Sequence, residues 1–286
     1  MSVVAAAPLP PLLYEERVRR ALAEDLGRAG DITTDATVPA DRAGEAAIVA
    51  RAPGCVAGLE VALSVFRVLD PAATAEVLQP DGSSVGGAEV LARVRARARA
   101  LLTGERTALN FLGHLSGIAT ATRDVVARLE GLPTRVACTR KTTPGLRALE
   151  KYAVLVGGGE SHRYGLDDAV LIKDNHVAVA GGISPAVERA RASVSHMVKI
   201  ELEVDTLAQL DEALELGVDV ILLDNMDLET LREAVRRARG RALTEASGGI
   251  RPDGVREVAE TGVDLISLGW LTHSAPSLDV ALDIFA

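Results

Sequence analysis

The sequence predicts an α/β protein whose second half is a β/α barrel, and three observations carry that prediction. After residue 130, short apolar runs recur at 135–138, 169–172, 198–204, 218–223, 242–246 and 265–268. Amphipathic stretches such as Leu207–Leu216 and 228–239 separate several of them, and strands that alternate with helices build parallel βαβ units. Six such units with so little chain between them favour a closed barrel over an open sheet. Finally, a polar or glycine-rich step follows the runs, and the reacting groups of a β/α barrel gather at the carboxyl ends of its strands.

Ahead of the barrel the elements follow in order. Residues 11–27 read as a helix with Leu13, Val18, Leu22 and Leu26 roughly on one side, closed by Gly27. A turn at Gly30-Asp31 leads into Ile32-Thr33-Thr34. The texture from 45 to 100 is strand-like, punctuated at Pro53-Gly54, Asp70-Pro71 and Pro80-Asp81-Gly82, with a helix over 61–69. Arg93, Arg95, Arg97 and Arg99 alternate, which puts them on one face of an extended segment. Without interleaved aromatics to stack on bases, they read as a solvated sheet face or a helix start. Residues 104–129 form a helix in which Glu105, Arg106 and Asn110 lie among Leu109, Phe111, Leu112, Leu115 and Ile118, while Gly113 and Gly117 allow close packing or a bend.

The strand ends hold the chemistry. Thr139-Arg140-Lys141 follows the first run, Lys173-Asp174-Asn175 the second, Glu203 the third, Asp224-Asn225 the fourth, Ser247-Gly248-Gly249 the fifth and Gly269 the sixth. On the third run Lys199, Glu201 and Glu203 share one face and Ile200, Leu202 and Val204 the other. Charges facing into a barrel are costly unless paired or bound to ligand. Lys199 and Glu201 therefore read as a structural pair and Glu203, nearest the mouth, as a ligand contact. Ser247-Gly248-Gly249-Ile250-Arg251-Pro252 reads as a phosphate cradle: glycines admit close backbone N–H groups, and Pro252 suits the first turn of a helix whose positive end faces the anion.

Lysine usage sharpens the picture. The chain has four lysines, and Lys141, Lys151 and Lys173 fall within 139–176. A chain that otherwise relies on arginine places these compact ammonium groups where a dense anion, a phosphate or a dicarboxylate, is expected. Arg147 and Lys151, spaced i,i+4, read as a solvated helix face. Arg140, Lys141, Arg163 and Lys173 instead sit beside Pro and Gly in loops and read as an anion site.

Composition sets the outer limits. A chain of 286 residues allows one large domain or two ordinary ones. A net charge of −9 argues against a general nucleic-acid binder. Two cysteines, Cys55 and Cys138, build neither a disulfide framework nor a zinc site, which points to a reducing cytosol. The apolar first thirteen residues lack the basic start of a signal peptide, and no apolar run reaches membrane-spanning length. The expectation is a cytoplasmic protein with neither nucleic acid nor membrane as partner.

Taken together, these residues resemble the quinolinate phosphoribosyltransferases, the carboxylating nicotinate-nucleotide pyrophosphorylases. Matching segments run from Leu22-Ala23-Glu24-Asp25-Leu26-Gly27 and Gly30-Asp31-Ile32-Thr33-Thr34, through Glu105-Arg106, Leu109-Asn110 and Ser116-Gly117-Ile118-Ala119-Thr120, to the long Thr139–His176 block, Asp224-Asn225-Met226 and Ser247-Gly248-Gly249-Ile250. Where relatives carry an Asp just before Thr139, this chain has Cys138, which should lie in the strand rather than the pocket. The resemblance implies an N-terminal α/β sandwich domain over 1–115, completed by 271–286, joined to an incomplete, seven-stranded α/β barrel over 116–270. It also implies a homodimer, extending to a hexamer in some assemblies, in which Arg106 reaches into the partner's site. Arg140, His162 and Arg163 would hold the two quinolinate carboxylates. Lys141 and Lys173 would meet 5-phosphoribosyl 1-pyrophosphate, and Glu203 and Asp224 its ribose and a Mg²⁺ ion, directly or through water. Thr139, Ser247, Gly248, Gly249, Ser267 and Gly269 would complete the substrate contacts.

The side chains suit that chemistry on their own terms. Two strongly anionic substrates repel unless fixed cations hold them together. Carboxylates near the anomeric carbon stabilise a cationic sugar, and departing pyrophosphate calls for a metal and lysine. Three rivals are weighed against it. A phosphoribosyltransferase-like protein associated with molybdate transport departs from the Lys173-Asp174-Asn175-His176 pattern. A Schiff-base aldolase or decarboxylase needs a lysine in apolar surroundings, whereas Lys141 and Lys173 sit among polar groups, and borohydride trapping would reveal one. A non-catalytic nucleotide sensor would show no turnover.

Overall fold

A computed structural model describes residues 7–285, so the first six residues of the apolar N-terminal stretch lie outside it. In chain order the first elements are α1 (Glu15–Leu26), α2 (Ile32–Thr37), β1 (Ala43–Ala50), β2 (Gly54–Cys55), α3 (Leu59–Leu69), β3 (Thr74–Val77), β4 (Ser84–Val85), β5 (Val90–Arg97) and α4 (Ala98–Arg128). There follow β6 (Arg135–Ala137), α5 (Arg147–Val156), β7 (Val170–Ile172), α6 (Asp174–Ala180), α7 (Ile183–Ser193), β8 (Ile200–Val204), α8 (Leu207–Leu216), β9 (Val220–Asp224), α9 (Leu228–Ala238), β10 (Leu243–Ser247), α10 (Val255–Ala259), β11 (Leu265–Ser267), α11 (Trp270–His273) and β12 (Val280–Phe285). No helix among the described residues is long and apolar enough to cross a membrane.

The chain forms two compact units. Among the described residues, the first takes 7–123, 142–158 and 271–285. Its antiparallel sheet runs β12-β1-β5-β3, with the C-terminal strand on one edge, and α1 packs on α3. Phe66, Ile48, Leu63, Leu91, Leu101 and Leu112 are fully buried in it. Gly27 closes α1 at φ 54, a conformation that costs other residues more. The turn at Gly30-Asp31 opens a further helix, α2, because the Asp31 side chain accepts the Thr34 N–H at 2.9 Å and caps it. The alternating arginines end β5 and enter α4: Arg93, Arg95 and Arg97 are exposed, Arg95 pairs with Glu45 at 3.0 Å and Arg97 with Asp70 at 3.3 Å. They form the solvated face the sequence predicts.

One expectation fails in this unit. Lys151 is 3% exposed, so Arg147 and Lys151 do not make a solvated helix face. α5 is covered on nearly every side. Glu150 is fully buried, with Oε1 2.8 Å from His114 Nε2 and Oε2 accepting the Thr143 N–H at 3.0 Å. Tyr152 donates to Asp81 at 2.7 Å, and Gly157 lies so close to Thr122 that a Cβ there would stand 2.6 Å from it.

The second unit takes residues 124–141 and 159–270 and is the barrel half. Its six strands are all parallel, in the order β6-β11-β10-β9-β8-β7. The resemblance implies seven strands; beside these six, Ala137 and Glu160 form an isolated parallel bridge. Consecutive strands β7 to β11 are neighbours, so helices α7, α8 and α9 are the crossovers that parallel neighbours require. The strand interiors, Ile200, Leu202, Ile221, Leu223, Ala246 and Ile266, are buried. The segment after Ser247-Gly248-Gly249 differs from the expectation: Pro252 lies in a turn, and α10 starts only at Val255 with Gly254 as its cap. Gly248 and Gly249 both take positive φ, 96° and 60°, which keeps the chain irregular there.

Candidate active site

The carboxyl ends of the parallel strands bring the predicted polar residues of the second unit onto one rim. After β6, Thr139 turns the chain by accepting the Lys141 N–H on its hydroxyl at 3.0 Å, and Cys138 is fully buried in the strand extension, bonded to Glu160 O at 3.1 Å. After β7, the Lys173 ammonium meets Glu203 of β8 at 2.8 Å. His176 accepts the Lys173 main-chain N–H on Nδ1 at 3.0 Å, which fixes the start of α6. After β9, Asp224 holds Asn225 Nδ2 at 2.6 Å. Burial, and next to it the Glu203 carboxylate, push the Asp224 carboxyl above its ordinary range. Two acids that crowd each other in this way favour a cation between them.

Asn225 adopts φ 52°, and its N–H bonds to Ser247 O at 3.0 Å. A Cβ on Gly248 would lie 2.3 Å from Asn225 Oδ1 and 2.8 Å from its backbone nitrogen. Only glycine fits at 248, so the β9 and β10 ends are locked together and the Gly248-Gly249 N–H groups stay at the rim. Past β11, Gly269 is followed by Trp270, whose Nε1 donates to Ile250 O at 3.2 Å and ties these two loops together.

Two arginines supply the remaining charge, with a histidine beside them. Arg163 is half-buried; burial, and after it the Arg140 guanidinium nearby, lower its pKa. Two neighbouring guanidiniums at a partly buried rim make a strong site for carboxylates. Arg163 also donates to Ala169 O at 3.3 Å. His162 Nδ1 accepts the Arg163 main-chain N–H at 2.7 Å, while Nε2 lies 3.0 Å from Glu201. The loop beyond is closed by the Asp168 carboxylate, which takes the Tyr164 and Gly165 N–H groups at 2.5 and 2.9 Å.

Two sequence assignments change. Lys199 does not pair with Glu201; it pairs with Asp219 at 3.1 Å, at the opposite end of the strand, because β8 begins only at Ile200. Glu201 instead meets His162, and Glu245 of β10 joins them at 3.5 Å. Sequence reasoning passed over Glu245, although a carboxylate in the middle of an apolar strand two residues before the rim was the available signal. Ser267 is 5% exposed and hydrogen-bonded to Glu245, which puts it beneath the rim rather than on it. Arg106 belongs to the first unit, exposed on α4, where it lines a cavity of about 500 Å³ with Asn110, His114, Glu24 and Leu146.

Comparison with known proteins extends these observations. Residues 31–116 match the N-terminal domain of quinolinate phosphoribosyl transferase and residues 118–283 its C-terminal domain. The chain is 46% identical over 274 residues to the nicotinate-nucleotide pyrophosphorylase [carboxylating] of Mycobacterium leprae, covering 94% of this chain and 96% of that one. It is 44% identical over 261 residues to the probable enzyme of the same name from Bacillus subtilis, covering 91% and 90%. The crystal structure of NadC from Streptococcus pyogenes superposes with a TM-score of 0.94 at 39% identity, covering 98% of this chain and 99% of that one.

Proposed function

The chain belongs to the quinolinate phosphoribosyl transferase family, and from that membership we propose the reaction its barrel rim performs. The protein transfers the phosphoribosyl group of 5-phosphoribosyl 1-pyrophosphate to the ring nitrogen of quinolinate, with loss of the 2-carboxylate. The products are nicotinate mononucleotide, pyrophosphate and CO₂, a step of NAD biosynthesis. The relatives' shared name favours this over the molybdate-associated alternative.

The observation that carries the reading is the pairing of Arg140 with Arg163 at the rim. A pyridine dicarboxylate offers one carboxylate to each guanidinium, whereas a monocarboxylate offers only one. Lys141 and Lys173 then meet the phosphate groups of the sugar donor, and the Gly248-Gly249 loop, with Ser247 and Gly269, supplies N–H groups to its 5-phosphate. Held this way, two anionic reactants face each other without the repulsion they would meet in water. As the bond to pyrophosphate lengthens, the anomeric carbon becomes cationic, and the Glu203 and Asp224 carboxylates stabilise it. Attack by the ring nitrogen leaves a pyridinium, which accepts the electron pair released when CO₂ departs from the adjacent carbon. A proton then takes the place of the carboxylate. The scheme requires no covalent nucleophile from the protein.

We assign a Mg²⁺ ion to the Glu203–Asp224 side. The donors there are oxygens, as that ion prefers, and the raised Asp224 carboxyl beside Glu203 is the condition a divalent cation relieves. Such an ion would neutralise the charge developing on pyrophosphate. Arg106 is proposed to complete the site of a second copy in a homodimer; its exposure on α4 beside Asn110 and His114 supports that role. The cytosol is the proposed compartment.

The direct test is a balanced assay. Purified protein given quinolinate, 5-phosphoribosyl 1-pyrophosphate and Mg²⁺ should release CO₂ and nicotinate mononucleotide in equal amounts. Nicotinate in place of quinolinate should react at least about tenfold less well, since a lost hydrogen bond to a charged group costs about 1.5–3 kcal/mol. Comparable turnover on nicotinate would exclude the two-carboxylate reading.

A further inference from the structure

Beneath the rim, His162, Glu201 of β8 and Glu245 of β10 meet inside the barrel. The reaction scheme uses neither glutamate, yet Glu201 is only 7% and Glu245 only 3% exposed. Two buried carboxyls are costly to fold around unless they bond to something, and here they converge on one imidazole. Its Nδ1 accepts the main-chain N–H of Arg163 at 2.7 Å. In the neutral ring the proton therefore sits on Nε2, which faces Glu201 Oε2 at 3.0 Å and Glu245 Oε1 at 3.5 Å. The first distance is a hydrogen bond and the second an electrostatic contact, because Glu245 Oε1 and Glu201 Oε1 have no hydrogen-bond partner.

The three groups lie within 4.8 Å of one another, a spacing that would suit a metal ion. The tautomer argues otherwise: with Nδ1 accepting from Arg163, Nε2 has no lone pair to offer a cation. What remains is a post. Burial, and then the neighbouring Glu201, raise the Glu245 carboxyl well above its ordinary range, which eases the repulsion between the two acids. The Ser267 hydroxyl bonds to Glu245 from β11. The imidazole ring nitrogens are thus used within the protein, one toward the barrel interior and one toward the backbone of Arg163.

We propose that Glu201 and Glu245 are positioning residues for quinolinate. They hold His162 in one orientation, His162 holds the Arg163 main chain, and the Arg163 guanidinium is thereby set beside Arg140 before substrate arrives. The proposal rests on the activity assigned above. It also changes the role of His162, from a direct carboxylate contact to a support for one. Cations fixed in advance bind their anion without the cost of ordering them on contact.

Steady-state kinetics of the full chain with both substrates and Mg²⁺ tests this. Glu201→Met, which fills the space without accepting from Nε2, should raise KM for quinolinate about tenfold while KM for 5-phosphoribosyl 1-pyrophosphate moves less than about twofold. In a His162→Ala background the same substitution should add nothing, since the carboxylate acts only through the ring. Should Glu201→Met fail to fold, Glu201→Asp keeps the charge but shortens the reach, and should raise KM for quinolinate about threefold with the same selectivity. Unchanged quinolinate KM in a folded variant, equal losses for both substrates, or additive effects in the double variant would each overturn the positioning role. Wild-type protein that fails to consume quinolinate would instead overturn the assigned activity.

Discussion

Glu203 and Asp224 lie at the ends of adjacent strands, and the Glu203 carboxylate helps raise the Asp224 carboxyl. They are assigned to the sugar and the metal, not to quinolinate. Glu203→Ala and Asp224→Ala should therefore lower kcat at least about a hundredfold, the loss expected when a transition-state charge partner is removed. Calorimetric titration with quinolinate alone should give a Kd close to that of the parent protein. A variant that loses quinolinate binding yet keeps its maximal rate would reverse the assignment of sides. Glu245 makes a prediction about stability. Burial and Glu201 raise its carboxyl from 4.5 to about 7. The folded state thus holds this proton over a range in which the unfolded chain has lost it. Stability should be unaffected by this group below about pH 4.5, decline as pH rises toward 7, and stay reduced above it. Glu245→Gln abolishes that decline, a difference of at most about 3 kcal/mol. Thermal melts of both proteins from pH 4 to 8 check it: a gap that does not widen with pH would show that Glu245 is ionised throughout.

At the scale of elements, α4 is the longest helix and its glycines explain how it packs. A Cβ on Gly117 would stand 2.1 Å from Pro276 O, and one on Gly113 2.9 Å from Leu278 O. The C-terminal segment that leads into β12 thus lies directly on the helix backbone, held by the Leu278 N–H to Gly113 O at 2.9 Å. The obstruction is main chain, which cannot swing aside as a side chain would. Gly117→Ala should cost about 1–3 kcal/mol of stability, and Gly113→Ala less, as measured by urea denaturation. Equal stability of Gly117→Ala and the parent would mean that the segment can shift away without loss. The same two glycines are visible in the sequence as close-packing positions, but what packs there lies some 160 residues further on.

For the whole molecule, the question is how many chains make one site. Arg106 belongs to the first unit and the Arg140–Arg163 pair to the second, so a site that uses all three can draw them from different copies. Under the proposed dimer, Arg106→Ala and Arg140→Ala should each fold and associate normally, yet be nearly inactive. Mixed and allowed to exchange subunits, they should regain up to about a quarter of wild-type activity, because a heterodimer holds one site with both arginines intact. Mixtures that remain inactive after exchange is verified would show that Arg106 serves its own barrel or none.

The sequence by itself determined what repeats along the chain. Strand periods of two and helix periods of 3.6 are local, so the six barrel strands, the helices between them and the polar residue at each strand end were legible. So were Arg140, Lys141, Lys173, Glu203 and Asp224 as occupants of one rim, because parallel strands carry their carboxyl ends to the same side. Only the tertiary structure decided which side chains meet across strands. It paired Lys199 with Asp219, seated His162 against Glu201 and Glu245, and enclosed Lys151 within the first unit. Those contacts join residues 20 to more than 80 positions apart, and strand register and packing, not the local pattern of either partner, bring them together. The short helix at Ile32–Thr37 was hidden for a related reason: a side-chain cap outweighed weak local propensity.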